Sequence, residues 1–111
     1  MIITLCGSAR FEDEFHRWNE VLTLAGHVVF SLAVYPSSKA GVKQWYTDAQ
    51  KGTLDRVHKM KIDASDAIFV IDVGGYIGDS TRSKIDHAAY GAKMVFFASD
   101  WDVTGKARLV S

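Results

Sequence analysis

A short apolar run, Ala67-Ile68-Phe69-Val70-Ile71-Asp72, leads directly into Gly74-Gly75-Tyr76-Ile77-Gly78-Asp79-Ser80-Thr81-Arg82-Ser83-Lys84-Ile85-Asp86. The run is the right length and composition for a buried strand. The segment after the glycines reads as a helix over roughly 80–91. A glycine-rich turn between a strand and a helix brings backbone N–H groups and a helix N-terminus to one point, where anions and sugars are held. One residue breaks the local pattern. A lysine in the first helical turn, as Lys84 is on this reading, opposes the helix dipole. Broken local rules tend to mark functional or altered positions.

The rest of the chain repeats the same alternation. Residues 2–6 read as a buried strand, and Gly7-Ser8 as a tight turn. Phe11, Phe15, Trp18, Leu22 and Ala25 form a helical stripe that Gly26 ends. Residues 28–34 are a second strand candidate. Residues 35–47 read as a long loop holding Pro36, Ser37, Ser38 and Gly41. A loop that long in a compact domain is often functional. Tyr35, Trp45 and Tyr46 in and around it either plug the core edge or stack on a nucleobase. Residues 48–64 read as a helix with Leu54, Val57, Met60 and Ala64 inward and His58 and Lys61 on a solvated edge. Met94–Phe97 is a fourth strand, and the tail from Ser99 is weakly specified.

Strand, helix, strand within the first 34 residues is a βαβ unit, hence a parallel pair with a right-handed crossover. The whole predicts one α/β domain over residues 1–111, a Rossmann-like three-layer fold with a mainly parallel sheet of four or five strands. Ligands of such sheets bind beyond the carboxyl ends of the strands. Those ends carry Gly7–Arg10, the 35–47 loop, Asp72–Ser80 and Ser99–Trp101.

Composition narrows the function classes. Thirteen basic and thirteen acidic residues cancel, so nothing favours a nucleic-acid polymer as partner. Cys6 is the sole cysteine, so no internal disulfide can form. A small buried thiol is the plain reading of it, a nucleophile the sharper one. No basic leader and no long apolar run is present, which gives the expectation of a cytoplasmic protein without a membrane partner. The four histidines lack metal-ligand spacing with each other or with Cys6, so no metal is expected. Three tryptophans, six phenylalanines and four tyrosines are many for so small a core, which suggests a homo-oligomer.

Two motifs carry the chemistry. In Gly7-Ser8-Ala9-Arg10 the small residues admit a ligand to the backbone and Arg10 offers a fork to phosphate or carboxylate. The plain alternative is a turn, a cap and a solvated arginine. Gly74, Gly75 and Gly78 fit neither the dinucleotide fingerprint nor a Walker loop. Asp72, at a strand end, stands where general acid or base work is common.

Taken together, Gly7-Ser8-x-Arg10, then Lys61-Ile62-Asp63-x-Ser65-Asp66-Ala67, then Gly74-Gly75-Tyr76-Ile77-Gly78-x-Ser80-Thr81-Arg82-x-x-Ile85 resemble the nucleoside 2-deoxyribosyltransferase-like proteins. The wider group includes deoxynucleoside monophosphate N-glycosidases. The resemblance runs over residues 1–98, and its specific part is 58–85. It implies cleavage or transfer at the N-glycosidic bond of a nucleoside or deoxynucleoside monophosphate, with no metal, redox group or other cofactor. A glutamate would attack the anomeric carbon while an acid protonates the leaving base, the logic of retaining glycosidases. Gly7, Ser8 and Arg10 would line the sugar or phosphate pocket. Gly75, Gly78, Ser80 and Arg82 would shape its sugar-phosphate side, and Asp72 is the candidate acid. The family's glutamate falls on Lys84. A lysine opposes the positive charge that develops on the sugar. Three readings are open: binding without cleavage, chemistry by another residue such as Asp79 or Asp86, or an altered position in an otherwise active enzyme.

Overall fold

The structure is a computed structural model that describes residues 1–35 and 46–101. Four strands, β1 (Ile2–Gly7), β2 (Val28–Phe30), β3 (Ala67–Ile71) and β4 (Met94–Phe97), alternate with helices α1 (Glu12–Leu24), α2 (Asp48–Asp63) and α3 (Asp79–Tyr90). The sheet is wholly parallel in the order β2-β1-β3-β4. The α/β three-layer expectation therefore holds. The proline, Trp45 and most of the long 35–47 loop lie outside the described residues, as does the tail beyond Trp101.

Strand alternation assigns the layers. Ile3, Leu5, Phe69 and Ile71 point to one face and meet Phe15, Trp18 and Leu22 of α1. Cys6, Ile68 and Val70 point to the other and meet Ile62 of α2 and Ala88 of α3. With both faces covered, all five residues of β3 are buried, which is why this strand reads as a continuous apolar run.

Local signals set the helix ends. Glu12, Asp13 and Glu14 occupy the first turn of α1, where the dipole favours carboxylates. Thr47 and Gln50 form a reciprocal capping box at the start of α2. Gly7 must be glycine: its φ is +152°, and a Cβ there would lie 2.9 Å from the Ile71 carbonyl oxygen. The absent side chain lets the ends of β1 and β3 close together.

Three expectations shift. β2 stops at Phe30, because the carbonyl of Ser31 is taken by Lys61 Nζ at 2.8 Å instead of continuing a ladder. The inward face of α2 is rotated: Val57 and Met60 are exposed, while His58 and Ile62 are buried. Polar groups can sit on that face because β1 satisfies them. His58 Nε2 donates to the Leu5 carbonyl at 2.9 Å. Ser65 Oγ, just past α2, donates to the Lys61 carbonyl and meets Thr4 Oγ1 at 2.6 Å. The start of the tail is also better placed than its polarity suggests, since Trp101 packs edge-on against Phe96.

Candidate functional site

From β1 the chain crosses to β2 on one side and later returns to β3 on the other, so the strand order reverses between β1 and β3. A crevice opens beyond the carboxyl ends of those strands. There the structure has a cavity of about 590 Å³, within the usual range of about 300–1,000 Å³ for small-molecule sites. Its walls come from the end of β1 (Gly7, Ser8), the segment after β2 (Ser31–Val34), one face of α2, and Tyr76 with the start of α3.

Of the residues singled out in the sequence, Gly7, Ser8, Tyr46, His58, Lys61, Gly78, Asp79, Ser80 and Lys84 line this cavity. Gly78 is the N-cap of α3 and has no side chain to bond the N–H groups of the first turn. Lys84 stands in the second turn of α3, one turn after Ser80, so it does not face the dipole as a first-turn cation would. Its side chain is 9% exposed, and Nζ donates to Asp55 Oδ1 at 3.0 Å and to Ser80 Oγ at 2.9 Å.

Arg10, Asp72, Gly75, Arg82 and Asp86 are not on the cavity wall. Arg10 stacks its guanidinium 4.4 Å from the Tyr76 ring centroid, behind a residue that does line the cavity. Asp72 is buried and holds Ser99 at both carboxylate oxygens, from the backbone N–H at 2.9 Å and the hydroxyl at 2.7 Å. That ties the end of β3 to the turn after β4. Gly75 belongs to the short 3-10 turn Val73–Gly75, and Arg82 is exposed.

The α2 wall supplies Lys51, Asp55, His58 and Lys61; the last two fall in the 58–85 block of the sequence, and the first two lie outside every motif. The spacing of the four, 4, 3 and 3, is a polar helical stripe, the signal in the sequence that marks Lys51 and Asp55. Partial burial pushes the Asp55 carboxyl up, but hydrogen bonds and charge from Lys84 and Lys51 outweigh this and hold it below the ordinary carboxylate value. Burial, reinforced by the Lys84 charge, lowers the His58 imidazole from 6.5 to about 4. Since Nε2 donates to Leu5, the bare nitrogen is Nδ1, which is buried with no hydrogen-bond partner among the described residues. Burial also pushes the Cys6 thiol up to about 12, which makes it an inert packing residue rather than a nucleophile. Among the described residues no cluster of three or more His, Cys, Asp or Glu could hold a metal ion, and no helix is long and apolar enough to cross a membrane.

No family model matches the chain, and no curated protein matches it in sequence. A solved structure does match in fold: a 2-deoxyribosyltransferase from the psychrotolerant bacterium Bacillus psychrosaccharolyticus, described as a biocatalyst for nucleoside synthesis. The TM-score is 0.61 at 18% identity, over 100% of this chain and 77% of that one. The likeness bears on the fold, and function has to come from the site.

Proposed function

We propose that this chain binds a nucleoside or deoxynucleoside monophosphate in the cavity beyond the carboxyl end of β1, and that it does so without cleaving the N-glycosidic bond. One observation carries the second half. Lys84, the position of the glutamate in the proteins the sequence resembles, donates to Asp55 and Ser80 from the cavity wall. A lysine in an ion pair is an ammonium. It has no lone pair with which to attack an anomeric carbon, and its charge opposes an oxocarbenium-like centre.

Several features support the binding half. The cavity has the volume of a nucleotide site. Lys51, Lys61 and Lys84 line it and favour an anionic ligand. Tyr76 offers a ring on which a base can stack. The fold neighbour acts on deoxyribosyl groups. In this reading Asp72 serves the site by holding the end of β3 against Ser99. An acid role for it requires that its carboxylate first leave Ser99.

The second reading is an N-glycosidase or deoxyribosyltransferase, favoured by the carboxylates of Asp55 and Asp79 lining the same cavity. Chromatography of free base separates the two. The protein and its Lys84→Glu variant are each incubated with a panel of nucleosides and deoxynucleoside monophosphates. The expected result is base release by the variant alone. Release by the unaltered protein assigns the chemistry to another carboxylate and overturns the proposal.

A further inference from the structure

Hydrogen-bond donors crowd the place where α2 faces the start of α3. Lys84 Nζ reaches Ser80 Oγ and Asp55 Oδ1, and Lys51 Nζ reaches Asp55 Oδ2 at 3.1 Å. The first turn of α3 adds its own N–H groups, which its N-cap, Gly78, has no side chain to bond. All of these residues line the cavity. The group that joins the two lysines is one carboxylate, carried by α2 and facing Lys84 across from α3. An ammonium as buried as Lys84 needs an anion beside it. Asp55 supplies that anion.

We propose that Asp55 is an intramolecular stand-in for the phosphate of the ligand: a bound phosphomonoester takes Lys84 and Lys51 over from it, so that Asp55 sets the affinity of the cavity for anions. The asymmetry of the pair makes the exchange feasible. The Asp55 side chain is 39% exposed and that of Lys84 only 9%. The carboxylate can turn out to water, whereas the ammonium cannot. A phosphate brings three acceptor oxygens, enough to serve both lysines and the α3 N–H groups together. No covalent bond forms or breaks. A neutral nucleoside has nothing to displace Asp55 with. The preferred ligands are therefore deoxynucleoside monophosphates and not free nucleosides. This deepens the proposed function and rests on that cavity being the ligand site.

Inorganic phosphate is the probe, titrated calorimetrically into the full chain at fixed ionic strength, as wild type, Asp55→Asn and Lys84→Met. Removing one competing charge at a part-exposed site is expected to tighten phosphate binding about five- to tenfold in Asp55→Asn. Lys84→Met is expected to weaken it by about tenfold or more. Equal affinity of Asp55→Asn and wild type overturns the proposal, as does wild-type affinity in Lys84→Met or phosphate binding by none of the three. Should Asp55→Asn fail to fold, Asp55→Ser takes its place with the same expected tightening. The same titrations with nucleosides and deoxynucleoside monophosphates separate the two claims. If phosphate behaves as stated but no nucleotide binds, the stand-in role holds and the nucleotide reading falls. If nucleotides bind wild type and Asp55→Asn alike, the nucleotide reading holds and the stand-in role falls.

Discussion

Lowering the pH below 6.5 should destabilise this protein through His58. In the unfolded chain the imidazole takes its proton near its ordinary value of 6.5; in the folded chain it does so only near 4. Burial is the main cause, the Lys84 ammonium adds to it, and the hydrogen bond to the Leu5 carbonyl pulls weakly the other way. Between those two values the unfolded state binds more protons, so stability falls as pH falls. Above pH 6.5 this group contributes no slope. At roughly 1.4 kcal/mol per pH unit the whole window from 6.5 to about 4 is worth about 3 kcal/mol. The assay is urea unfolding at half-unit pH steps, on the protein and on His58→Gln. The glutamine amide can still donate to the Leu5 carbonyl but does not titrate. The carboxylates and the other three histidines are common to both proteins and cancel in the difference. Wild type should lose about 3 kcal/mol more than the variant across the window. Parallel curves would refute a buried, neutral His58 and the placement of α2 that goes with it.

Gly7→Ala puts a Cβ 2.9 Å from the Ile71 carbonyl oxygen at a φ that alanine avoids. The expected cost is about 2 kcal/mol or more, read as a drop in urea midpoint with an unchanged slope. Asp72→Ala removes both acceptors of Ser99 and leaves a part-buried N–H unpaired. A loss of about 1–3 kcal/mol is expected. Asp72→Asn, which keeps one acceptor, should retain ligand affinity in calorimetry, and loss of binding would draw Asp72 into the site itself. Self-association, expected from the aromatic content, fits the exposure of Leu24, Tyr90 and Met94. Sedimentation should show a concentration-dependent dimer or larger species, and a monomer at every concentration removes the idea.

The fold is legible in the sequence as far as short-range pattern can carry it. β1, β3 and β4 are apolar runs, and α1 has a Phe15–Trp18–Leu22 stripe with carboxylates at its start. The inward face of α2 is not legible, because hydropathy favours Val57 and Met60 over His58. The preference reverses only once β1 brings the Leu5 carbonyl to the imidazole across 53 residues. β2 is shorter than its apolar run for a similar reason, since Lys61 captures the Ser31 carbonyl from another element. The glycine turns, Ser80 and Lys84 mark a site in the sequence because strand ends in an open parallel sheet share one edge. The Asp55 partner of Lys84 lies at no strand end; it is 29 residues away, in the polar stripe of α2. Asp72 stands at the expected strand end, but its tie to Ser99 depends on the turn after β4, which local pattern does not specify.

Equilibrium dialysis with chromatography of both chambers decides most directly whether the cavity binds a nucleotide and leaves it whole. Deoxynucleoside monophosphates are placed across the membrane from the protein, and the nucleotide and free base in each chamber are then quantified. The expected result is excess nucleotide on the protein side, chemically intact, with no free base beyond a protein-free control. Equal nucleotide on both sides would contradict binding. Free base in excess of the control would contradict a silent site and restore catalysis with Lys84 in place.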